Sequence, residues 1–123
     1  MKNRFGIAAY YEMAAQKGQI PKFDRALTLI VGERIRQAVQ EGYTPAHDDE
    51  HTEGQLALLA AAYALGSRDQ GLGSGPLSTI IHVIGLLPHY KFTFKPADPI
   101  RDLTRAGALI LSELERRLRA EGA

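Results

Sequence analysis

Apolar residues recur every three to four positions over much of the chain, the spacing of helices with one apolar face. The most regular run is Leu27, Val31, Ile35 and Val39. It predicts a buried stripe on a helix that Asp24 opens and Gly42 ends. Gly32 inside that helix costs about 1 kcal/mol against alanine, and a close helix–helix approach would be one reason to keep it. A second stripe, Ile100, Leu103, Gly107, Ile110, Leu114 and Leu118, predicts the inner face of a last helix. Asp98 and Pro99 mark its start: an acidic cap, then a proline where a missing N–H costs nothing. On its outer face, Glu113 with Arg117 and Glu115 with Arg119 are spaced to pair one turn apart. Near the N-terminus, Asn3 is placed to cap a first helix that runs to about Lys17 and stops at Gly18, with Phe5, Ala8, Ala9 and Met13 inward.

The segment Leu56 to Leu65 is apolar on every side, which places it at the centre of a bundle. Thr52 and Gln55 have the spacing of a capping box before it, and Gly66 is its expected stop. Tyr43 to His51 reads as a polar loop, and the glycine-rich Gly66 to Pro76 as another. Leu77 to Leu87 is expected as a short helix despite its β-branched residues. Pro88 to Asp98 is expected to be extended, because prolines bracket it and Tyr90, Phe92 and Phe94 alternate with other residues. These elements predict one all-α domain spanning 1–123. It is a four- to five-helix bundle with a central apolar helix at about 53–65 and a short extended aromatic segment at about 88–98.

Composition changes this picture little. The chain has 123 residues, no cysteine, and a net charge of +1 from 15 basic and 14 acidic residues. Thiolate chemistry and disulfides are excluded. The charge is too small for strong non-specific nucleic-acid binding. No signal peptide is visible, and no apolar run reaches the roughly 20 residues of a membrane span. A location in the cytoplasm of a bacterial host is the expectation.

Three blocks carry a resemblance: GERIRQAVQEGYTPAHDDEHTEGQLALLAAAYA, KFTFKPADPIRDL and TRAGALILSELERR. In that order they resemble small phage and prophage helical proteins of unassigned function. Those typically read E-R-x-R-Q, then E-G-W/Y-T-P-x-H-D-D-x-H, G-E-L-A, K-P-x-D and R-D-L-x-K-A-G-A-L-I-x-A-E-I-E-R. The likeness covers about residues 32 to 117 and implies a phage origin and a shared fold. The chain departs from it at Gln55, where glutamate is usual, at Phe92 and Phe94, where tryptophan is common, and at Arg105, where lysine is usual.

Three constellations could carry chemistry. The loop with His47, Asp48, Asp49 and His51, together with Glu33, has the ligand types for Mg²⁺ or Mn²⁺, although acids just before a helix also serve as caps. The polar face around Arg34, Arg36 and Gln37 is either solvated or turned to a ligand. Phe92, Phe94 and Lys95, followed by Arg101 and Arg105, suit a stacked base and a phosphate. The leading expectation is an accessory protein that binds a nucleotide-like anionic small molecule without turning it over, with sequestration of a host immune signal as one concrete version. One alternative is a metal-dependent nucleotide pyrophosphohydrolase of the MazG-like kind, for which the carboxylate set is incomplete. The other is a protein-interaction module acting on a host partner. Self-association into a homo-oligomer is compatible with each.

Overall fold

The computed structural model describes residues 6–68, 82 and 95–122. The fold is all-α: the described residues form the helices α1 (Ile7–Gln16), α2 (Phe23–Gln40), α3 (Pro45–Asp49), α4 (Gln55–Arg68) and α5 (Pro99–Ala120), with no strand among them. Local chemistry sets the ends. Asp98 accepts the Arg101 backbone N–H, and Pro99 fills the first turn of α5. Gly18 and Gly42 follow α1 and α2 with φ of 69° and 80°, a region that glycine enters without the Cβ penalty of other residues.

Several expectations are revised. The capping box does not close at Thr52; the Gln55 carbonyl oxygen instead accepts the Glu53 N–H at 2.7 Å. Helix α4 runs past Gly66 to Arg68. Tyr43 to His51 contains the short helix α3, capped by Thr44 and begun by Pro45. In α1 the buried residue is Ala14, while Ala8 and Met13 face out. Glu113 pairs with Arg117 as expected, but Glu115 accepts from Arg34 and Arg119 reaches Asp49. Asn3, Phe5, most of 77–87 and most of the 88–98 aromatic segment lie outside the described residues. Residues 95–98, at the end of that segment, carry no helix.

Helices α4 and α5 form the main packed pair, with α2 and then α3 against α5. As the sequence predicts, α4 supplies the core: Leu56, Leu59, Ala60, Ala62 and Tyr63 are buried with Ala106 and Leu109.

The largest departure concerns the two apolar stripes, which face outward. Leu27, Val31, Ile35 and Val39 are exposed, Val39 by 78%. So are Ile100, Leu103, Ile110, Leu114 and Leu118. The inward faces are Glu33, Arg34 and Gln37 on α2, and Asp102, Ala106, Leu109, Ser112, Glu113 and Arg116 on α5. Polar groups occupy the inside because they satisfy one another there: Arg116 with Glu113, Arg34 with Asp48, and the Ser112 hydroxyl with the Ala108 carbonyl. A buried polar group with its bonds made costs little.

Candidate functional site

Helices α2, α4 and α5 diverge around a cavity of about 140 Å³. That volume is close to one that holds a single aromatic ring. Its walls are Glu33, Arg36 and Gln37 from α2, Glu41 and Tyr43 just beyond it, Leu59 and Tyr63 from α4, and Lys95, Arg105 and Leu109. On α2, the spacing of 33, 36, 37 and 40/41 turns these side chains to one face.

Glu33 and Arg36 form a two-toothed ion pair, with Nε to Oε1 at 2.9 Å and an Nη to Oε2 at 2.8 Å. Arg36 also reaches Glu41 at 3.1 Å. Burial alone would push the Glu33 carboxyl up. The hydrogen bonds and charge of Arg36, with help from Arg101 and Gln37, outweigh burial and hold it below the ordinary glutamate range. In turn, the hydrogen bond to Glu33 and then that to Glu41 push the Arg36 guanidinium up, so it stays charged. The cluster thus sets two carboxylates on one cation.

On the opposite wall, the Tyr63 hydroxyl accepts the Lys95 N–H at 2.9 Å. The Arg105 guanidinium lies over the Tyr63 ring, 5.5 Å from its centroid, and donates to the Lys95 carbonyl. Asp102, fully buried behind them, accepts the Ala97 N–H at 2.8 Å. It fixes how the chain enters α5. Gln37 completes the wall. Its NH₂ donates to Glu33 at 3.2 Å, but its buried carbonyl oxygen meets no hydrogen-bond donor among the described residues. An orphaned acceptor of this kind costs about 1–3 kcal/mol.

The predicted ligand set is thus partly assembled. Arg36, Gln37, Lys95 and Arg105 meet at the cavity. Arg101 is exposed on the first turn of α5, and its charge is felt at Glu33. Phe92 and Phe94 lie outside the described residues. Arg34 belongs elsewhere: it points behind α2, bonding Asp48 at 3.1 Å, the Tyr43 carbonyl at 2.8 Å and Glu115 at 2.8 Å.

The predicted metal set does not converge. The cause is α3, which turns consecutive acids about 100° apart instead of leaving them in one loop. Asp48 points inward, fully buried, to Arg34 and to His47 Nδ1 at 3.1 Å. Burial pushes its carboxyl up, against His47 and Arg34, which lower it. Asp49 points outward to Arg119 at 2.8 Å. His51 Nδ1 faces the His47 carbonyl at 2.8 Å. Glu33 is spent on Arg36 and Gln37. Among the described residues, no group of three or more His, Asp or Glu is arranged to hold a metal ion.

Tyr43 and Tyr63 were missed by the sequence reading, while Glu41 belongs to the polar face that it named on α2. Tyr63 had a usable signal: a tyrosine inside an otherwise apolar helix needs a partner for its hydroxyl. Tyr43 gave none, since its role depends on His47, whose ring stacks on it at 4.9 Å and 3°. No family model, curated protein or solved structure matches the chain.

Proposed function

We propose that the chain binds a nucleotide-like anionic small molecule in the cavity between α2, α4 and α5 and releases it unchanged. The observation that carries this reading is the cavity's far wall. Lys95 and Arg105 stand beside the Tyr63 ring, opposite a carboxylate pair already neutralised in part by Arg36. The lining residues carry three cations and two carboxylates; just outside them Arg101 lies near and the buried Asp102 sits 3.8 Å from Arg105, which leaves an excess of one positive charge. The balance favours an anion. A cavity near 140 Å³ takes one ring or one phosphoryl group, so the rest of the molecule would lie in the mouth. The undonated Gln37 oxygen favours a group that carries an N–H or O–H.

The turnover alternative, a MazG-like hydrolase, is less well supported, because both cavity carboxylates are bonded to Arg36 rather than held open for a cation. Sequestration of a host nucleotide signal by a phage protein is one biological setting that fits non-destructive binding.

The test is calorimetric titration with ATP and with inorganic phosphate, in wild type and in Lys95→Ala and Arg105→Ala. Each substitution should weaken ATP binding by about 1–3 kcal/mol, the range for charge-assisted hydrogen bonds, and added salt should weaken it further. Mass spectrometry of the recovered nucleotide separates the two chemistries: intact ATP fits a binder, pyrophosphate release a hydrolase. If both variants bind as wild type does, or wild type binds neither probe, the reading fails.

A further inference from the structure

We infer that the outward stripes of α2 and α5 are the interface of a homodimer. The starting point is an imbalance. Among the described residues, four large apolar side chains are buried (Leu56, Leu59, Tyr63 and Leu109), while fourteen are exposed. Nine of those fourteen lie on the two stripes. Scattered exposed apolar residues are ordinary, but a contiguous patch beyond a few hundred Å² marks an interaction surface.

The two stripes are contiguous. Gly107 lies within the α5 stripe, and a Cβ placed on it would stand 2.8 Å from Cδ1 of Ile30 on α2. Helix α2 thus crosses α5 at the middle of the stripe. Val31 and Leu27, neighbours of Ile30 in sequence and across one helical turn, flank the crossing on one helix; Leu103 and Ile110 flank it on the other. At roughly 80 Å² for each half-exposed side chain, nine make roughly 700 Å², close to the ~800 Å² that each partner contributes to a stable interface.

The spacing on α5 identifies the kind of surface that fits. Ile100, Leu103, Gly107, Ile110 and Leu114 follow alternating steps of three and four, the seam along which helices pack on helices. Nine large exposed apolar side chains on two helices give the patch the composition of an interface between identical subunits. A second copy presents the same two helices, and a twofold axis through the seam covers both patches at once. The result is a four-helix layer, α2 and α5 with their symmetry mates, on the side of α5 away from α4. This arrangement leaves the cavity between α2, α4 and α5 intact.

Sedimentation velocity of the full chain across micromolar concentrations tests the proposal. The expected mass is twice the chain's 13.5 kDa. Ile110→Lys should shift the protein to monomer at least tenfold higher in concentration, with a helical circular dichroism spectrum retained. The chain has no cysteine, so Ile110→Cys gives a clean second readout: mild oxidation should produce a covalent dimer. A wild type that is monomeric at every concentration overturns the proposal. So does an Ile110→Lys variant that unfolds from a monomeric parent, which would mean that the chain's own residues cover the stripe. A wild-type dimer whose Ile110→Cys form resists oxidation would place the interface elsewhere and also overturns it.

Discussion

Replacing Arg34 by alanine should cost about 4 kcal/mol of stability. Three bonds end at this guanidinium, and they differ in weight. Glu115 is about half exposed, so its ion pair contributes at most about 1 kcal/mol. The Tyr43 carbonyl loses one donor, about 1 kcal/mol. Asp48 is the larger loss, because its carboxylate is 0% exposed and would keep only His47. Removing one member of a buried ion pair typically costs about 3–5 kcal/mol, and proton uptake by Asp48, whose carboxyl burial already pushes up, would recover part of it. Small domains hold about 5–15 kcal/mol in total, so Arg34→Ala should leave the fold marginal. Urea denaturation at pH 7, followed by circular dichroism at 222 nm, measures the loss. Asp48→Asn in the Arg34→Ala background should return part of the stability, since the stranded charge is then gone. A loss below about 1 kcal/mol, or no recovery in the double variant, would refute the reasoning and return Arg34 to the ligand-binding set.

Two further outcomes follow from the packing and the charges. Gly107→Ala should destabilise by about 1 kcal/mol net, because crowding Ile30 (about 1–3 kcal/mol) exceeds the helix propensity gained (about 1 kcal/mol); in an Ile30→Ala background, which removes both crowded carbons, the sign should reverse, as thermal melts of the two backgrounds would reveal. The pH dependence has two opposing parts. Glu33 and Glu113 are held below the ordinary glutamate value, Glu33 despite its burial and Glu113 chiefly by the Arg116 hydrogen bond. The stability they contribute is therefore present above about pH 4.3 and lost as pH falls through their folded values. Asp48 is raised, so its ionised form costs stability that is regained on acidification. Melting temperature between pH 7 and pH 3 should fall less steeply in Glu113→Gln than in wild type, and more steeply in Asp48→Asn.

What the sequence made legible was local. Asp98 with Pro99, and Gly18 and Gly42, act through their own backbone geometry and need no distant partner, so their positions were readable one residue at a time. The apolar run Leu56–Leu65 of α4 was readable as the centre because its large side chains, Leu56, Leu59 and Tyr63, have no polar face to turn outward with them. The two amphipathic stripes were misassigned for a physical reason: periodicity reports that a face is apolar, not which surface covers it. On α5 the buried face carries Asp102, Ser112, Glu113 and Arg116, whose partners come from the same helix or from the segment just before it. Such self-satisfied polar faces look solvent-facing in a sequence. Of the residues lining the cavity, Arg36 and Gln37 were nameable in one dimension as a polar helix face, and Lys95 and Arg105 as charge beside aromatics. Their separation from Arg34 was not, since Arg34 and Gln37 share a face and part company only through Asp48.

Lys95 has both of its peptide groups in use: Tyr63 takes its N–H, and Arg105 holds its carbonyl. On the proposed reading, an anion that recruits Arg105 has to compete with that carbonyl, so this wall of the cavity acts as a latch. Arrival of such an anion would then be a two-step event, with collision followed by guanidinium exchange. Observed association rates should level off at high ligand concentration instead of rising in proportion to it, and substituting Tyr63 should loosen the latch from the other side.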